Sequence, residues 1–279
     1  MRFGVTIFGT DETMSPPEVA REAEARGFTS IYLPEHTHIP ISRRTPPATG
    51  DTELREEYKR TLDPFVALTA AAAVTTTIRL GTGVSLVAQR DPILTAKEAA
   101  TLDLLSGGRF VFGIGFGWNH EEMESHGVAP ERRRDIAREK TLAIKRLWAD
   151  DVASFEGTYV HLEPSWSWPK PLQRPGPPIL IGGGAGPTLF RHVAEYADGW
   201  IPIGGAGLSE AIPQLREAVA AAGRDPQKLE IVPFGSLPNP GKLEHFHSIG
   251  VTEVVFRLPA SGRDLVLADL DRYAALIGS

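Results

Sequence analysis

The chain has no cysteine among its 279 residues. Disulfide bonds and thiolate metal sites are therefore excluded, and nothing in the composition suggests export. It also lacks an apolar run long enough to span a bilayer, and the residues after Met1 show no charged region, apolar core and cleavage site of a signal peptide. We therefore expect a cytoplasmic protein without membrane contact.

An excess of basic charge is lacking as well, since the net charge is -6. Phosphate backbones need a basic surface, so the balance argues against a nucleic-acid partner. The basic cluster ERRRDIAREK, residues 131–140, mixes both signs at helical spacing and is typical of a solvated helix face. Hydrophobic residues make up 42% and charged residues 23% of the chain, as in soluble globular proteins.

What the sequence does contain is a regular alternation of short Val-, Ile- and Phe-rich runs with longer helical patterns. The predicted strands lie at residues 3–8, 30–33, 78–84, 109–115, 178–183, 199–204, 229–234 and 252–258. The predicted helices lie at residues 16–27, 63–75, 91–108, 131–150, 187–197, 208–223, 241–250 and 262–277. About eight strand-then-helix units predict an α/β protein with a (β/α)8 TIM barrel, as a single domain over residues 1–279. An open, doubly wound sheet is the alternative.

Two segments interrupt the alternation. Residues 36–61 are rich in Pro, Thr and charge, and residues 151–178 contain a predicted hairpin at Glu156-Gly157 before a proline-rich stretch with Trp166 and Trp168. Long loops in compact domains are usually functional. The prediction is therefore a barrel with insertions after strand two and between strands four and five.

The glycines of GIGFG, residues 113–117, admit two interpretations. A Rossmann fingerprint should follow the first strand, with an acidic residue at the end of the second. Here the motif follows the fourth strand and continues into Trp118, where a third glycine is wanted. In a barrel, active sites are instead built from residues at the C-terminal ends of the strands. This favours the second interpretation, in which the glycines form a strand end without side chains against which a flat ligand can lie.

Such strand-end residues are numerous, and many have no side chain. They are Glu35, His36, Gly83, Val84, Ser85, Gly115, Phe116, Gly117, Trp118, Gly182, Gly183 and Gly184. A rim of this kind presents backbone amides and open space, which suits a flat ring system with a phosphate tail. In IGGGAGPTLF, residues 181–190, successive amides could point at one oxyanion while the helix at Pro187 adds its dipole. A plain turn that needs positive φ is the alternative.

His36 is the candidate for proton chemistry. Imidazole side chains exchange protons near neutral pH, so this residue could donate to a bound ring or a substrate carbonyl. An ordinary loop histidine is the alternative. His36 and His38 could chelate a metal only with a third ligand, and the sequence shows no partner for them. We expect no metal.

Long blocks of the sequence resemble the luciferase-like monooxygenase superfamily, specifically its actinobacterial F420-dependent oxidoreductase branch. These blocks are YLPEHTHIP, TLDPFVALTAAAAVTTTIRLGTGV, QRDPILTAKEAATLDLLSGGRFVFGIGFGWNHEEM, WSWPKP and ADGWIP. The resemblance covers nearly the whole chain. It implies a (β/α)8 barrel with insertions, a homodimer, and a flavin-type coenzyme bound at the strand ends.

The resemblance also implies roles for residues. It places Glu35 and His36 near the deazaflavin ring, a non-prolyl cis peptide at Gly83-Val84 behind that ring, and the coenzyme phosphate at Gly182 to Gly184. The sugar-phosphate dehydrogenases of this branch carry a catalytic glutamate directly after the strand-four glycines, where this chain has Trp118. A sugar-phosphate substrate is therefore not expected.

Two glutamates follow shortly after that position. Whether Glu121 or Glu122 replaces the missing catalytic glutamate is left open by the sequence. Glu121 is kept as a candidate coenzyme contact.

The leading hypothesis is an F420-dependent oxidoreductase that transfers a hydride between the deazaflavin and a small organic substrate. His36 would assist proton movement, and Glu35 would orient His36 or bond to the ring. Trp118, with Trp166 or Trp168, would wall the substrate side, although ordinary packing explains the last two equally well. The alternatives are an FMN-dependent monooxygenase fed by a separate reductase and a non-catalytic coenzyme-binding barrel. A homodimer and a flavin or F420 reductase are the expected protein partners.

Overall fold

The computed structural model describes residues 1–42, 44–46 and 53–277. Within these ranges the strands are β1 (Arg2–Thr6), β2 (Ser30–Leu33), β3 (Arg79–Thr82), β4 (Phe110–Ile114), β5 (Ala153–Glu156), β6 (His161–Ser165), β7 (Ile179–Gly182), β8 (Gly199–Ile201), β9 (Glu230–Ile231), β10 (Phe234–Ser236) and β11 (Glu253–Arg257). The helices are α1 (Pro16–Ala25), α2 (Pro64–Ala72), α3 (Pro92–Leu105), α4 (His120–Ser125), α5 (Arg133–Ala149), α6 (Pro187–Tyr196), α7 (Leu208–Ala221), α8 (Pro240–Ser248) and α9 (Arg263–Ile277). None of the helices in this part of the chain combines the length and apolar character that crossing a bilayer requires.

Nine of the strands form one curled parallel sheet. Its order is β10-β11-β1-β2-β3-β4-β7-β8-β9. The outermost strands, β9 and β10, are separated in the chain only by Val232 and Pro233. Val232 N donates to Trp200 O at 2.9 Å, and Val255 N donates to Pro233 O at 3.0 Å. The sheet therefore curls until its two outermost strands, β9 and β10, lie next to each other in the chain.

The inner face of the curled sheet is filled by side chains in its middle and carries ion pairs at one end. The buried side chains within it are Tyr32, Val111, Leu180, Ile201, Val232 and Val255. At the N-terminal strand ends, Arg79 lies 2.9 Å from a Glu230 carboxylate oxygen and 3.2 Å from one of Glu253. The helices cover the outer face with a second, larger apolar core. The C-terminal strand ends remain as the place where a site can form.

Local signals explain where the helices begin. Asp63 accepts a hydrogen bond from Val66 N at 3.0 Å, and Asp91 accepts one from Leu94 N at 2.8 Å, so each caps a helix whose first residue is proline. Both helices begin within one residue of the starts predicted for the helices at 63–75 and 91–108.

The structure also differs from the expectation at two elements. The strand predicted at 229–234 is divided into β9 and β10, because Pro233 has no backbone N–H. The helix α4 is not predicted, since six residues are too few to show a helical period. The hairpin predicted at Glu156-Gly157 is confirmed as the antiparallel pair β5-β6.

Candidate functional site

Glu35, two residues after the end of β2, connects that strand to the segment after β3. Its buried carboxylate accepts hydrogen bonds from Ser85 Oγ at 2.8 Å, from Leu86 N at 2.7 Å and from Arg90 Nη1. Burial raises the pKa of Glu35, and the charge of Arg90 opposes that rise. The carboxylate is thus engaged with residues 85–90 and fixes the backbone there.

His36 is held by a different glutamate. Its Nδ1 lies 2.8 Å from Glu122 Oε2, with both side chains buried, and Thr37 N donates to Glu122 Oε1 at 3.3 Å. A carboxylate only accepts hydrogen bonds, so in this contact with an ionised Glu122 the imidazole donates from Nδ1. Within the described residues Nε2 has no hydrogen-bond partner. The expectation that Glu35 orients His36 is wrong, because the contacts of Glu35 run to residues 85–90.

Two aromatic side chains enclose the His36 ring. The ring centroid of Tyr58 lies 5.3 Å from that of His36, and the centroid of Trp118 lies 5.9 Å from it. Tyr58 and Trp118 meet edge to face at 6.1 Å. The structure therefore brings Trp118 to His36, as the sequence predicts, and adds Tyr58, which the sequence analysis did not single out.

The peptide bond between Gly83 and Val84 is cis, as the family resemblance implies. The Val84 side chain lies against two other strand ends. A Cβ on Gly115 would stand 2.3 Å from Val84 Cγ2, and one on Gly182 would stand 2.8 Å from Val84 Cγ1. The ends of β3, β4 and β7 therefore meet at Val84, and glycine is needed there for space.

Backbone hydrogen bonds extend this junction to the other predicted residues. Ser85 N donates to Gly113 O at 2.7 Å and Gly115 N donates to Ser85 O at 2.8 Å. Phe116, Gly117 and Trp118 follow without interruption. The strand-end residues of β2, β3, β4 and β7 are thus brought together at one rim.

The glycine loop after β7 contributes fewer free amides than the sequence suggests. Gly183 N donates to Ile201 O at 3.2 Å, and Trp200 Nε1 donates to Gly183 O at 2.8 Å. Gly184 has no atom within 4 Å of the position a Cβ would take. The amides available to a ligand therefore begin at Gly184 rather than at Gly182.

Glu121 faces the segment after β2 rather than the strand ends. It accepts hydrogen bonds from Arg44 N at 2.7 Å, Arg44 Nε at 2.9 Å and Thr45 Oγ1 at 2.9 Å. Burial by itself raises the pKa of Glu121, but these hydrogen bonds lower it to about 2. Its carboxylate anchors residues 44–45, so a direct coenzyme contact finds no support in this geometry.

Trp166 and Trp168 are not brought to His36. They are 80% and 56% exposed. Lys97 Nζ on α3 donates to Trp168 O, and Lys170 Nζ lies 5.2 Å from the Trp168 ring centroid. The hairpin packs on α5, so the chain after it runs along the outside of α3. Among the described contacts, none joins either tryptophan to Trp118.

Two buried amide side chains were missed by the sequence analysis. Asn119 caps α4 by accepting from Glu122 N at 3.3 Å, and its Nδ2 has no partner in the described part of the chain. Neither amide atom of Gln89 has a partner there, and a Cβ on Gly117 would lie 3.5 Å from Gln89 Nε2. The polar run after Trp118 is a sequence signal for Asn119 and does not include Gln89. Both amides could bond a ligand.

Comparison with known proteins identifies the family. The model of the luciferase-like monooxygenase family matches residues 1–237. An uncharacterized protein of Mycobacterium tuberculosis is 45% identical over 280 residues, covering 99% of this chain and 98% of the relative. An F420-dependent glucose-6-phosphate dehydrogenase of Kineococcus radiotolerans is 31% identical over 214 residues, covering 74% of this chain and 58% of the relative. A phthiodiolone/phenolphthiodiolone dimycocerosates ketoreductase of Mycobacterium bovis is also 31% identical, over 82% of this chain and 63% of the relative.

Solved structures share the fold. An F420-dependent secondary alcohol dehydrogenase in complex with an F420-acetone adduct superposes with a TM-score of 0.78 at 19% identity, covering 100% of this chain and 99% of the other. The monooxygenase RslO1 from Streptomyces bottropensis gives 0.77 at 20% identity, covering 99% and 98%. The chain belongs to the luciferase-like monooxygenase family, whose members are oxidoreductases and monooxygenases.

Proposed function

We propose that this protein is an F420-dependent oxidoreductase that transfers a hydride between the deazaflavin and a small organic substrate. The observation that carries the proposal is the junction at Val84, where the ends of β3, β4 and β7 meet. The His36–Glu122 pair is linked to this junction because Glu35, the neighbour of His36, bonds Ser85. Relatives named as F420-dependent support the choice of coenzyme.

The fold behind this proposal is a closed (β/α)8 barrel formed by one domain over residues 1–279. The shared segment that contains Val232 and Pro233 supports closure, since it bonds to β8 on one side and β11 on the other. The barrel then has two insertions. One lies between β2 and α2, and the other lies between β4 and β7 and carries the β5-β6 hairpin.

The rim suits a flat ring system with a phosphate tail. Gly115 and Gly182 place no side chain beside Val84. The side-chain amides of Asn119 and Gln89 are available to ring heteroatoms. The backbone amides from Gly184 onward are available to a phosphate. When bound, F420 supplies a ring carbon that accepts or donates a hydride.

The protein's own groups divide the remaining work. His36 holds or delivers a proton at Nε2, because Glu122 occupies Nδ1. Tyr58 and Trp118 exclude water around that nitrogen. Glu35 holds residues 85–90, and through them the backbone that would support the ring.

The direct test is mass spectrometry of the coenzyme retained by protein purified natively from a host that makes both F420 and FMN. The proposal expects the mass of F420. Retained FMN with no F420 would favour the second candidate, an FMN-dependent monooxygenase, which the monooxygenase members of the family support.

Homodimer formation is part of the proposal. Val66 on α2 and Leu94 on α3 are apolar yet 72% and 57% exposed, and the two helices lie side by side. A shared apolar face of this kind suits an interface between two copies related by a twofold axis. A reductase that regenerates the reduced coenzyme is the second proposed partner.

A further inference from the structure

The strand ends outside the junction at Val84 carry large apolar side chains. Phe234, at the start of β10, packs together with Val84 against the buried side chains on the inner face of the curled sheet. A Cβ on Gly83 would collide with Phe234 Cζ, so the phenyl ring touches the residue that begins the cis peptide. The ring therefore continues the inner surface from the junction towards β10.

Ile203, after β8, lies on the same side of the sheet as Phe234. The two residues are partners in a parallel bridge, and paired residues of neighbouring strands point to the same face. Ile201, two residues earlier, lies in the inner cluster, as the strand period requires. Ile203 is nevertheless 82% exposed. An aliphatic side chain therefore faces the opening of the curled sheet and is left mostly uncovered by the described part of the chain.

Leu237, one position after β10, faces the same opening. Ser236 is the register partner of Phe256, which belongs to the outer core, so Ser236 faces the helices. Successive side chains of an extended strand point to opposite faces, which directs Leu237 inward. Leu237 is 69% exposed. The structure thus brings a second exposed aliphatic side chain to the open end of the sheet.

Phe8, after β1, connects this surface to His36. Thr6 is the register partner of Tyr32, whose side chain lies in the inner cluster, so Phe8, two residues further along, faces the same side. The Phe8 ring centroid lies 4.7 Å from that of Tyr58, which lies 5.3 Å from that of His36. The four apolar side chains that face the opening form one surface, the apolar wall, which consists of Phe8, Ile203, Phe234 and Leu237.

Two cations near the apolar wall are already engaged. Arg257, at the end of β11, bonds Glu57 Oε1 at 3.1 Å, and its guanidinium carbon lies 5.9 Å from the Phe8 ring centroid. Lys242 Nζ lies 5.2 Å from the ring centroid of Phe246, which belongs to the outer core. An ionised group placed on the apolar wall would lose hydration, and neither cation is free to compensate it. The apolar wall therefore favours an uncharged ligand.

We propose that the apolar wall holds the substrate, and that the substrate is an uncharged alcohol, or the corresponding carbonyl compound, with an apolar chain. The inference rests on the proposed function and deepens it by naming the substrate class. Oxidation of the alcohol breaks its C–H bond, whose electron pair passes to F420 with the hydrogen as hydride, and the O–H proton passes to His36 Nε2 as the C=O bond forms. The apolar chain then covers Ile203 and Leu237 and removes them from water.

The test measures how affinity depends on chain length. Secondary alkanols of increasing length are titrated by ligand-observed NMR into three coenzyme-free proteins, each checked for folding by circular dichroism. These are the wild type, Ile203→Ser/Leu237→Ser and the control Leu265→Ser, whose side chain is 61% exposed on α9. Each added CH2 group should tighten binding to the wild type and the control about twofold to fourfold, and the double variant should lose most of this dependence. The same chain-length dependence in all three proteins would overturn the inference.

A second series tests the exclusion of charge. Alkanoates that match the alkanols in chain length should bind the wild type at least about tenfold more weakly than the alkanols do. Equal or tighter binding of the alkanoates would contradict an uncharged substrate. Both series are run without coenzyme, so they are independent of the choice between F420 and FMN. A protein that shows the predicted chain-length dependence but retains FMN would reject the proposed coenzyme and support the apolar wall.

Discussion

His36 is oriented by Glu122, which lies 86 positions further along the chain. The sequence identified His36 as a candidate for proton chemistry because its residue type and its place after a strand are local properties. It did not identify the partner, since a contact between the segment after β2 and helix α4 depends on how the intervening chain folds. The sequence suggested the neighbouring Glu35 as the residue that orients His36, and the structure shows Glu122 in that position instead.

Removal of the Glu122 carboxylate should leave a buried histidine unpaired. We expect Glu122→Ala to lower the free energy of unfolding by about 1–3 kcal/mol. The control Glu124→Ala, in the same helix but 49% exposed and paired with the 72% exposed Arg44, should cost about 0.5 kcal/mol or less. Urea denaturation of the three proteins measures the difference, and equal stabilities for the two variants would contradict the role assigned to Glu122.

The close contact at Val84 gives a second residue-scale prediction. Gly115→Ala should lower the free energy of unfolding by about 1–3 kcal/mol and weaken coenzyme binding, because the new methyl meets a stiff, branched side chain. The double variant Val84→Ala/Gly115→Ala should recover part of the stability. Gly262→Ala is the control, since its Cβ would meet no atom. Additive losses in the double variant would show that the two residues do not touch.

At the scale of elements, Glu24 on α1 fastens the turn that leads into β3. It accepts hydrogen bonds from Thr76 N at 2.9 Å, Thr77 N at 2.6 Å and Ile78 N at 2.9 Å. Burial raises the pKa of Glu24, but these hydrogen bonds outweigh it and lower the pKa to about 2 from 4.5. The stabilisation is present above pH 4.5 and is lost as the pH falls towards 2.

Glu24→Gln should therefore lower the free energy of unfolding at pH 7 by about 1–2 kcal/mol, a figure reduced for partial exposure to solvent. The difference in free energy of unfolding between this variant and the wild type should become steadily smaller below pH 4.5. Urea denaturation of both proteins between pH 7 and acid pH measures this difference, with Glu244→Gln, at an exposed position, as control. A gap that does not depend on pH would rule out the carboxylate as its cause.

Elements were predictable where their signal is local. The Asp-Pro starts of α2 and α3 and the strand at 30–33 were found as the structure has them, because caps and apolar runs act over a few residues. The helix α4 was missed, and with it the anchor for residues 44–45. The path of Trp166 and Trp168 depends on how the hairpin packs on α5, which no local pattern encodes.

At the scale of the whole molecule, parallel strands place all their C-terminal ends at one edge. The alternation of strands and helices was therefore enough to predict that Gly83, Gly115 and Gly182 share a rim. It was not enough to predict that Arg134 and His192 both lie against Phe116, since the three residues come from different elements of the chain.

The proposed homodimer gives a prediction at this scale. Val66→Glu/Leu94→Glu should place charges on the exposed face of α2 and α3 and convert a dimer to a monomer. Sedimentation velocity measures the mass, and Leu265→Glu, on the exposed face of α9, is the control. A dimer that survives the double substitution would place the interface elsewhere, and a monomeric wild type would remove the dimer from the proposal.

Paired titrations of the wild type with F420 and with FMN test the central claim most directly. Equilibrium dialysis of one preparation against each coenzyme, at fixed ionic strength, gives both dissociation constants. The account predicts saturable F420 binding, with FMN at least about tenfold weaker. Tight FMN binding with no measurable F420 binding would contradict it.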